Sequence, residues 1–255
     1  MILIKLILTP FFILAITIAG RKWGPTASGL LIGLPLTSGP ISVFLALQHG
    51  SDFAARAATG NVAGQVSMCL FCLVYFLLAG RAGWPLCSLA ATAAFLVSTF
   101  ALDRLALGLL AAFAALSALF PLFLLAMPEP RGEIKAAVRP RWDLPARVGM
   151  ATAFVLLLTT LAQGLGPRLS GLLSPLPVFS LVIASFTLRQ QGGEAAGLLL
   201  RGVVRSSWAN AVFFLAVGLL LPRVALPWTY LAATVLALLA SGATLVASRA
   251  IRARR

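Results

Sequence analysis

Apolar runs of about 18 residues or more recur along this chain, and a helix needs a run of that length to cross a bilayer. Between Asp52 and Arg81, for instance, the only charged residue is Arg56. In hydrocarbon every backbone N–H and C=O must be paired inside the protein, which leaves helices or closed barrel strands as the spanning structures. The length of the runs and their lack of period-two alternation select helices. Composition agrees: 10% of the residues are charged and 60% are hydrophobic, where a soluble domain would carry roughly a quarter charged residues. The fold class expected is all-α integral membrane.

The runs predict about nine transmembrane helices, at 2–19, 28–48, 53–79, 84–101, 105–127, 148–165, 170–188, 195–221 and 226–248. Residues 1–19 are read as a first span rather than a signal peptide, because no Ala-x-Ala-like site closes the stretch and it has a counterpart further along. The net charge of +14 does not point to nucleic acid, because the basic residues sit singly or in small groups between apolar runs, as topology determinants do. With the N-terminus outside, the inner side receives Arg21, Lys22, Arg81, Arg131, Lys135, Arg139, Arg141, Arg147, Arg189, Arg201, Arg205, Arg249, Arg252, Arg254 and Arg255. The outer side keeps Lys5, Arg56, Arg104, Arg168 and Arg223. Lys and Arg are retained on the cytoplasmic side, so the expectation is N-out and C-in, with anionic lipids of the cytoplasmic leaflet as neighbours.

Shifted by 142 residues, the chain matches itself without a gap. Gly24-Pro25 falls on Gly166-Pro167, Ser28-Gly29-Leu30-Leu31 on Ser170-Gly171-Leu172-Leu173, and Leu34-Pro35 on Leu176-Pro177. Ser38 meets Ser180, Gln48 meets Gln190, Gly50 meets Gly192, and Arg81 meets Arg223. Leu89-Ala90-Ala91-Thr92 recurs as Leu231-Ala232-Ala233-Thr234. Low-complexity Leu/Ala matching would not keep Gly-Pro, Gln and Arg in register. The expected organisation is repeat 1 at 1–101, a linker helix with a basic cytoplasmic loop at 102–147, and repeat 2 with a basic tail at 148–255. An offset of five spans turns the second four-helix copy upside down, giving inverted-topology repeats.

Each copy contains a broken span. Gly33-Leu34-Pro35-Leu36-Thr37-Ser38-Gly39-Pro40-Ile41-Ser42 interrupts the second, and Leu173-Ser174-Pro175-Leu176-Pro177-Val178-Phe179-Ser180 the seventh. Ser38 suits an N-cap and Pro40 a first helical position, so a half-helix is expected to start at Pro40, and its mate at Pro175 or Pro177. Inversion would bring both N-termini to the midplane, where their partial positive charge favours anions. The expected substrate-binding residues are Thr37, Ser38, Gly39, Pro40, Ser42, Ser174, Pro177 and Ser180. Asn61 and Gln65, with Ser207 and Asn210 in the other copy, would line the path. The competing readings are Pro kinks that only shape packing, and interhelical hydrogen bonding beside a Gly60-x-x-x-Gly64 contact.

Arg201 and Arg205 lie on the opposite face from Ser207 and Asn210 and are read as snorkelling to lipid phosphates, with anion ligation of the substrate as the alternative, a choice that Arg56 on the outer side shares. His49, the only histidine, is read as interfacial. Cys69, Cys72 and Cys87 fall in apolar runs and are read as buried small hydrophobes. There is no second histidine, P-loop, nucleophile elbow or clustered acidic pair. No catalytic group, cofactor or metal site is expected.

The run Ser170-Gly171-Leu172-Leu173-Ser174-Pro175-Leu176-Pro177-Val178-Phe179-Ser180 resembles the GlpM family, short bacterial inner-membrane proteins with an Ala-Gly-Leu-Leu-Pro-Leu-x-Pro-Thr-Phe type segment. The likeness covers residues 148–248. It implies a single-repeat ancestor duplicated and fused, a bacterial inner-membrane location, and a link to cell-envelope polysaccharide production. Taken together, the residues suggest a secondary transporter or flippase-like carrier of a small anionic or polar substrate, with a homodimer as a possible assembly. The alternative is a non-transporting scaffold for an envelope-polysaccharide machine.

Overall fold

The structure is a computed structural model that describes the backbone at residues 2–36, 38–129, 140, 142–157 and 177–253, with side chains from residue 9 to residue 244 within those ranges. All regular structure among the described residues is helical. Helix α1 spans Ile2–Trp23, α2 Pro25–Gly33, α3 Ser38–His49, α4 Ser51–Ala79, α5 Trp84–Leu105 and α6 Leu109–Ala126. Residues 143–157 form α7. They are followed by α8 (Val178–Gln191), α9 (Gly193–Leu220) and α10 (Leu226–Ala253). With α2 and α3 taken as one broken span, six described helical stretches are long and apolar enough to cross a membrane. The other three expected spans fall on α1, α7 and α8, the last two together with residues 158–176, which lie outside the described ranges.

The centre is a pair of long helices. In α4 and α9, 56% and 67% of the most apolar stretch is buried, against 17–24% for the other four. The pair is antiparallel. Gly193, at the start of α9, lies so close to the end of α4 that a Cβ on it would stand 2.6 Å from the Ala79 carbonyl oxygen. Gly218, near the end of α9, packs against Ala58, near the start of α4. Between these ends, Cys69 sits against Ser207. Around the pair, α5 packs on α4, α10 packs on α9, and α6 packs on both.

Helix α2 docks on α9 through small residues. A Cβ on Gly29 would stand 1.9 Å from the Leu199 carbonyl oxygen, and one on Gly202 would stand 2.7 Å from that of Thr26. Gly33 meets Ser206, whose hydroxyl donates to the Gly29 carbonyl at 3.2 Å. Gly29 and Gly33 on one helix thus face Gly202 and Ser206 on the other, each pair spaced by four. In a membrane, where apolar burial drives association weakly, such spacing lets backbones approach closely.

The turns have a common pattern. Gly50 and Gly192 precede α4 and α9 with φ of 88° and 87°. Gly50 N–H donates to Ala46 O and Gly192 N–H to Leu188 O, both at 3.1 Å. After the long helices, Arg81 and Ala82 both donate to Leu78 O, as Arg223 and Val224 both donate to Leu220 O. Every one of these partners lies 142 residues from its counterpart.

Two local expectations change. Helix α3 begins at Ser38 rather than Pro40, so Ser38 is inside the helix instead of capping it. The Gly39 N–H donates to Pro35 O at 2.9 Å, which carries the helical pattern back across the break. The hydrophilic connection after α6 also ends earlier than expected, because helix α7 already includes 143–147.

Candidate substrate site at the helix break

The first break is built by Gly33-Leu34-Pro35-Leu36. Leu34 takes an extended conformation at the end of α2 (φ −72°, ψ 155°). Pro35 and Leu36 then turn the chain into α3. The break forms one wall of a groove of about 440 Å3, lined by Leu34, Pro35, Leu36, Gly39, Pro40, Val43 and Phe44. The opposite wall is Phe213 of α9 with Tyr230, Thr234, Ala237 and Leu238 of α10. Leu238 is 60% exposed, so the groove opens on the outer face of α10. No ionisable side chain other than the Tyr230 phenol lines it.

Of the expected site residues, Gly39 and Pro40 line this groove. Ser42 is buried just behind it, with its hydroxyl 2.7 Å from Tyr230 Oη. Thr37 and Ser174 lie outside the described residues. Pro177 caps α8, and Ser180, fully buried, points its hydroxyl at Met68 Sδ, 3.8 Å away on α4. Neither of them lines the groove. The expected free N–H groups at the start of α3 are few: Gly39 already donates to Pro35 O, and Pro40 has none to give.

The path residues divide into satisfied and unsatisfied groups. Asn61 Nδ2 donates to Ala57 O at 3.1 Å, Gln65 Nε2 to Asn61 O at 3.4 Å, and Ser207 Oγ to Val203 O at 3.0 Å. These three are held along their own helices. Asn210 differs, because its Oδ1 is buried without a hydrogen-bond partner. It stands one turn beyond Ser206, which meets Gly33, and one turn before Phe213, which meets Gly39. By helical spacing Asn210 lies on the face of α9 that carries those two contacts, but it does not line the groove.

Sequence reasoning missed a second polar centre. Asp143, 1% exposed, receives Arg21 Nη2 on Oδ2 and Arg147 Nε on Oδ1, each at 2.9 Å. Gln190 donates to Asp143 Oδ1 and accepts from Arg147 Nη2 at 3.0 Å. The Arg147 guanidinium also stacks over the Phe186 ring, 4.9 Å from its centroid. Burial opposes ionisation of Asp143, but the hydrogen bonds from Gln190 and Arg147, the Arg147 charge and Arg21 outweigh it and hold the carboxyl below its usual range. The cluster ties the ends of α1 and α8 to the start of α7 around a cavity of about 20 Å3, room for a single water. The i,i+4 spacing of Asp143 and Arg147 was the one signal in the sequence.

Arg205 also departs from expectation. It is buried, 7% exposed, and its Nη2 donates to Glu129 Oε1 at 2.8 Å, while Arg201 Nη1 donates to Leu124 O at 3.1 Å. Both guanidiniums turn to the end of α6 rather than to lipid phosphates, because Glu129 supplies a charge partner inside the protein. Cys69, Cys72 and Cys87 are buried free thiols.

Compared with known proteins, the chain matches no protein-family model, no curated sequence and no solved structure.

Proposed function

We propose that the chain is a multi-pass membrane carrier built from two inverted repeats, which moves a small anionic or polar substrate past the α2–α3 break by alternating access. The observation that carries this reading is the antiparallel crossing of α4 on α9. The two helices occupy equivalent places in the 142-residue register, so their opposed directions support an inversion of one half against the other, the plan of many secondary transporters. The halves also interlock in a reciprocal way. Ser42 on α3 bonds Tyr230 on α10, and Ser88 on α5 lies 2.9 Å from Ser185 Oγ on α8. Ser88 and Tyr230 are themselves 142 residues apart. The helix after each expected break, α3 or α8, thus meets the last helix of the other half, and a rocking of the halves would open the α2–α3 break to one side and then the other.

A non-transporting scaffold in an envelope-polysaccharide assembly is the second reading. What favours it is that Ser42, Ser180, Gln65 and Ser207 all spend their polar groups inside the protein.

The two readings separate in one experiment. A single cysteine is placed at Gly39 in a chain whose three native cysteines are replaced by alanine, and membrane-impermeant thiol reagents are applied to vesicles of each orientation. Labelling from both sides is the expected result for a carrier. Protection from both sides, in a protein that keeps its wild-type melting temperature, would leave the scaffold reading.

A further inference from the structure

The Asp143 cluster joins the two halves, and its bonds are not equivalent. Asp143 and Arg147 lie one turn apart on α7, and Gln190 lies in the last turn of α8. The bonds among these three stay within the second half. Arg21 comes from the end of α1, in the first half, and reaches Asp143 Oδ2 at 2.9 Å. Taking a partner from a buried carboxylate is strongly destabilising where the charge is left unpaired. The Arg21 bond can part without that cost. Asp143 keeps Arg147 and Gln190, and the Arg21 side chain, already 33% exposed, returns to water. The cluster is thus tied firmly within one half and separable between the halves.

The ion pair also closes a passage. The cavity of about 20 Å3 beside it is lined by Thr17 of α1, Pro25 and Ser28 of α2, and Thr187 of α8. Pro25 starts α2 and Gly33 ends it at the break, nine residues or about 13 Å away along the helix. The distribution of basic residues puts this end of α1 and α8 on the cytoplasmic side, so the cluster stands between the cytoplasm and the α2–α3 break. With room for a single water, the passage is shut.

The other half carries no such device. In the 142-residue register the counterparts of Asp143, Arg147, Gln190 and Arg21 are Met1, Lys5, Gln48 and Gln163. None of the four is a carboxylate, so this ion pair belongs to the inner end alone.

We infer that Arg21 and Asp143 form the latch of an inner gate. While the pair is made, the halves are held together at the cytoplasmic end and the break faces outward; when it parts, the halves separate there. This rests on the carrier reading and adds to it a resting direction and the two residues that set it.

The test uses the full chain, free of native cysteines, in membrane vesicles of each orientation. Thr187→Cys in the cavity and Gly39→Cys at the break are separate reporters, read by their rates of reaction with a small membrane-impermeant thiosulfonate. Arg21→Gln removes the bond between the halves and leaves Asp143 with Arg147 and Gln190. It is expected to speed labelling of Thr187→Cys from the cytoplasmic side roughly fivefold or more, and to raise the ratio of inner to outer labelling of Gly39→Cys by a like factor. Arg21→Lys, which keeps the charge, is expected to stay near the wild type. The melting temperature of Arg21→Gln is expected to match the wild type; should it fall, Arg21→Met, which keeps the packing of the stem, takes its place.

The coupled change at both reporters separates a gate from a brace. A brace that only stiffens the inner end would let Thr187→Cys react faster and leave the Gly39→Cys ratio unchanged. That result, or no change at either reporter, would overturn the latch while the carrier reading stands. Gly39→Cys labelled from neither side in the chain with Arg21 intact would overturn both.

Discussion

Gly50 and Gly192 hold one backbone conformation at two places in the chain, φ 88° with ψ 163° and φ 87° with ψ 179°. Each lets its N–H close the preceding helix while its carbonyl accepts from the first turn of the next, at 3.3 Å from Ala54 and 3.2 Å from Ala196. A side chain there would meet no neighbouring atom, so the demand for glycine is conformational rather than spatial. This φ/ψ region is essentially restricted to glycine and costs other residues about 1–3 kcal/mol. Gly50→Ala and Gly192→Ala are each expected to destabilise the detergent-solubilised protein by that amount. Gly80→Ala, at a negative φ of −87° with open space around it, is expected to have little effect. Thermal unfolding of the three variants checks the contrast.

The α2–α9 contact makes a different demand on glycine. Gly29 is limited by space, since a Cβ would overlap the Leu199 backbone oxygen, which no side-chain rotation relieves. Gly29→Ala is expected to lift α2 off α9 and to cost about 1–3 kcal/mol or more. Gly60→Ala, mid-helix with nothing within 4 Å, should instead stabilise by about 0.5–1 kcal/mol through helix propensity. Melting temperatures of the pair in detergent decide this, and equal effects would show that α2 does not pack as described.

Much of this architecture is legible in the sequence, and the part that is not has a physical reason. Helices, the α2–α3 break and the glycine turns are local. Run length, Pro and Gly announce them, and the 142-residue register marks their recurrence. The partners of polar groups are set by packing between distant helices, so no spacing in the sequence joins Ser42 to Tyr230 or Arg205 to Glu129. Arg205 was expected at lipid because its position along α9 was visible while the location of the end of α6 was not. The groove was hidden for a similar reason: its second wall comes from α10, whose outer face reads in sequence as lipid-facing residues only.

The Asp143 cluster has a pH signature. Its carboxyl is held below the ordinary range in the folded protein, so ionisation contributes stability that is fully present above the unfolded value of about 3.9. That contribution is lost as pH falls through the lower folded value. The wild type is therefore expected to lose stability on acidification below about pH 4. Asp143→Asn, which takes the carboxylate from Arg21 and Arg147, is expected to be less stable at pH 7 by about 3 kcal/mol and to show a shallower acid slope. Melting temperature between pH 3 and 7 measures both, and parallel curves for the two proteins would remove Asp143 from the acid response.

The inversion itself is tested most directly at Asp52 and Glu194, which are exposed, start α4 and α9 and are equivalent in the 142-residue register. Single cysteines at these two positions, in an otherwise cysteine-free chain expressed in a bacterial host, are treated with a membrane-impermeant maleimide before and after permeabilisation. The expected result is that Asp52→Cys reacts in intact cells and Glu194→Cys only after permeabilisation. Reaction of both from the same side would contradict the inverted repeat and, with it, the carrier reading built on it.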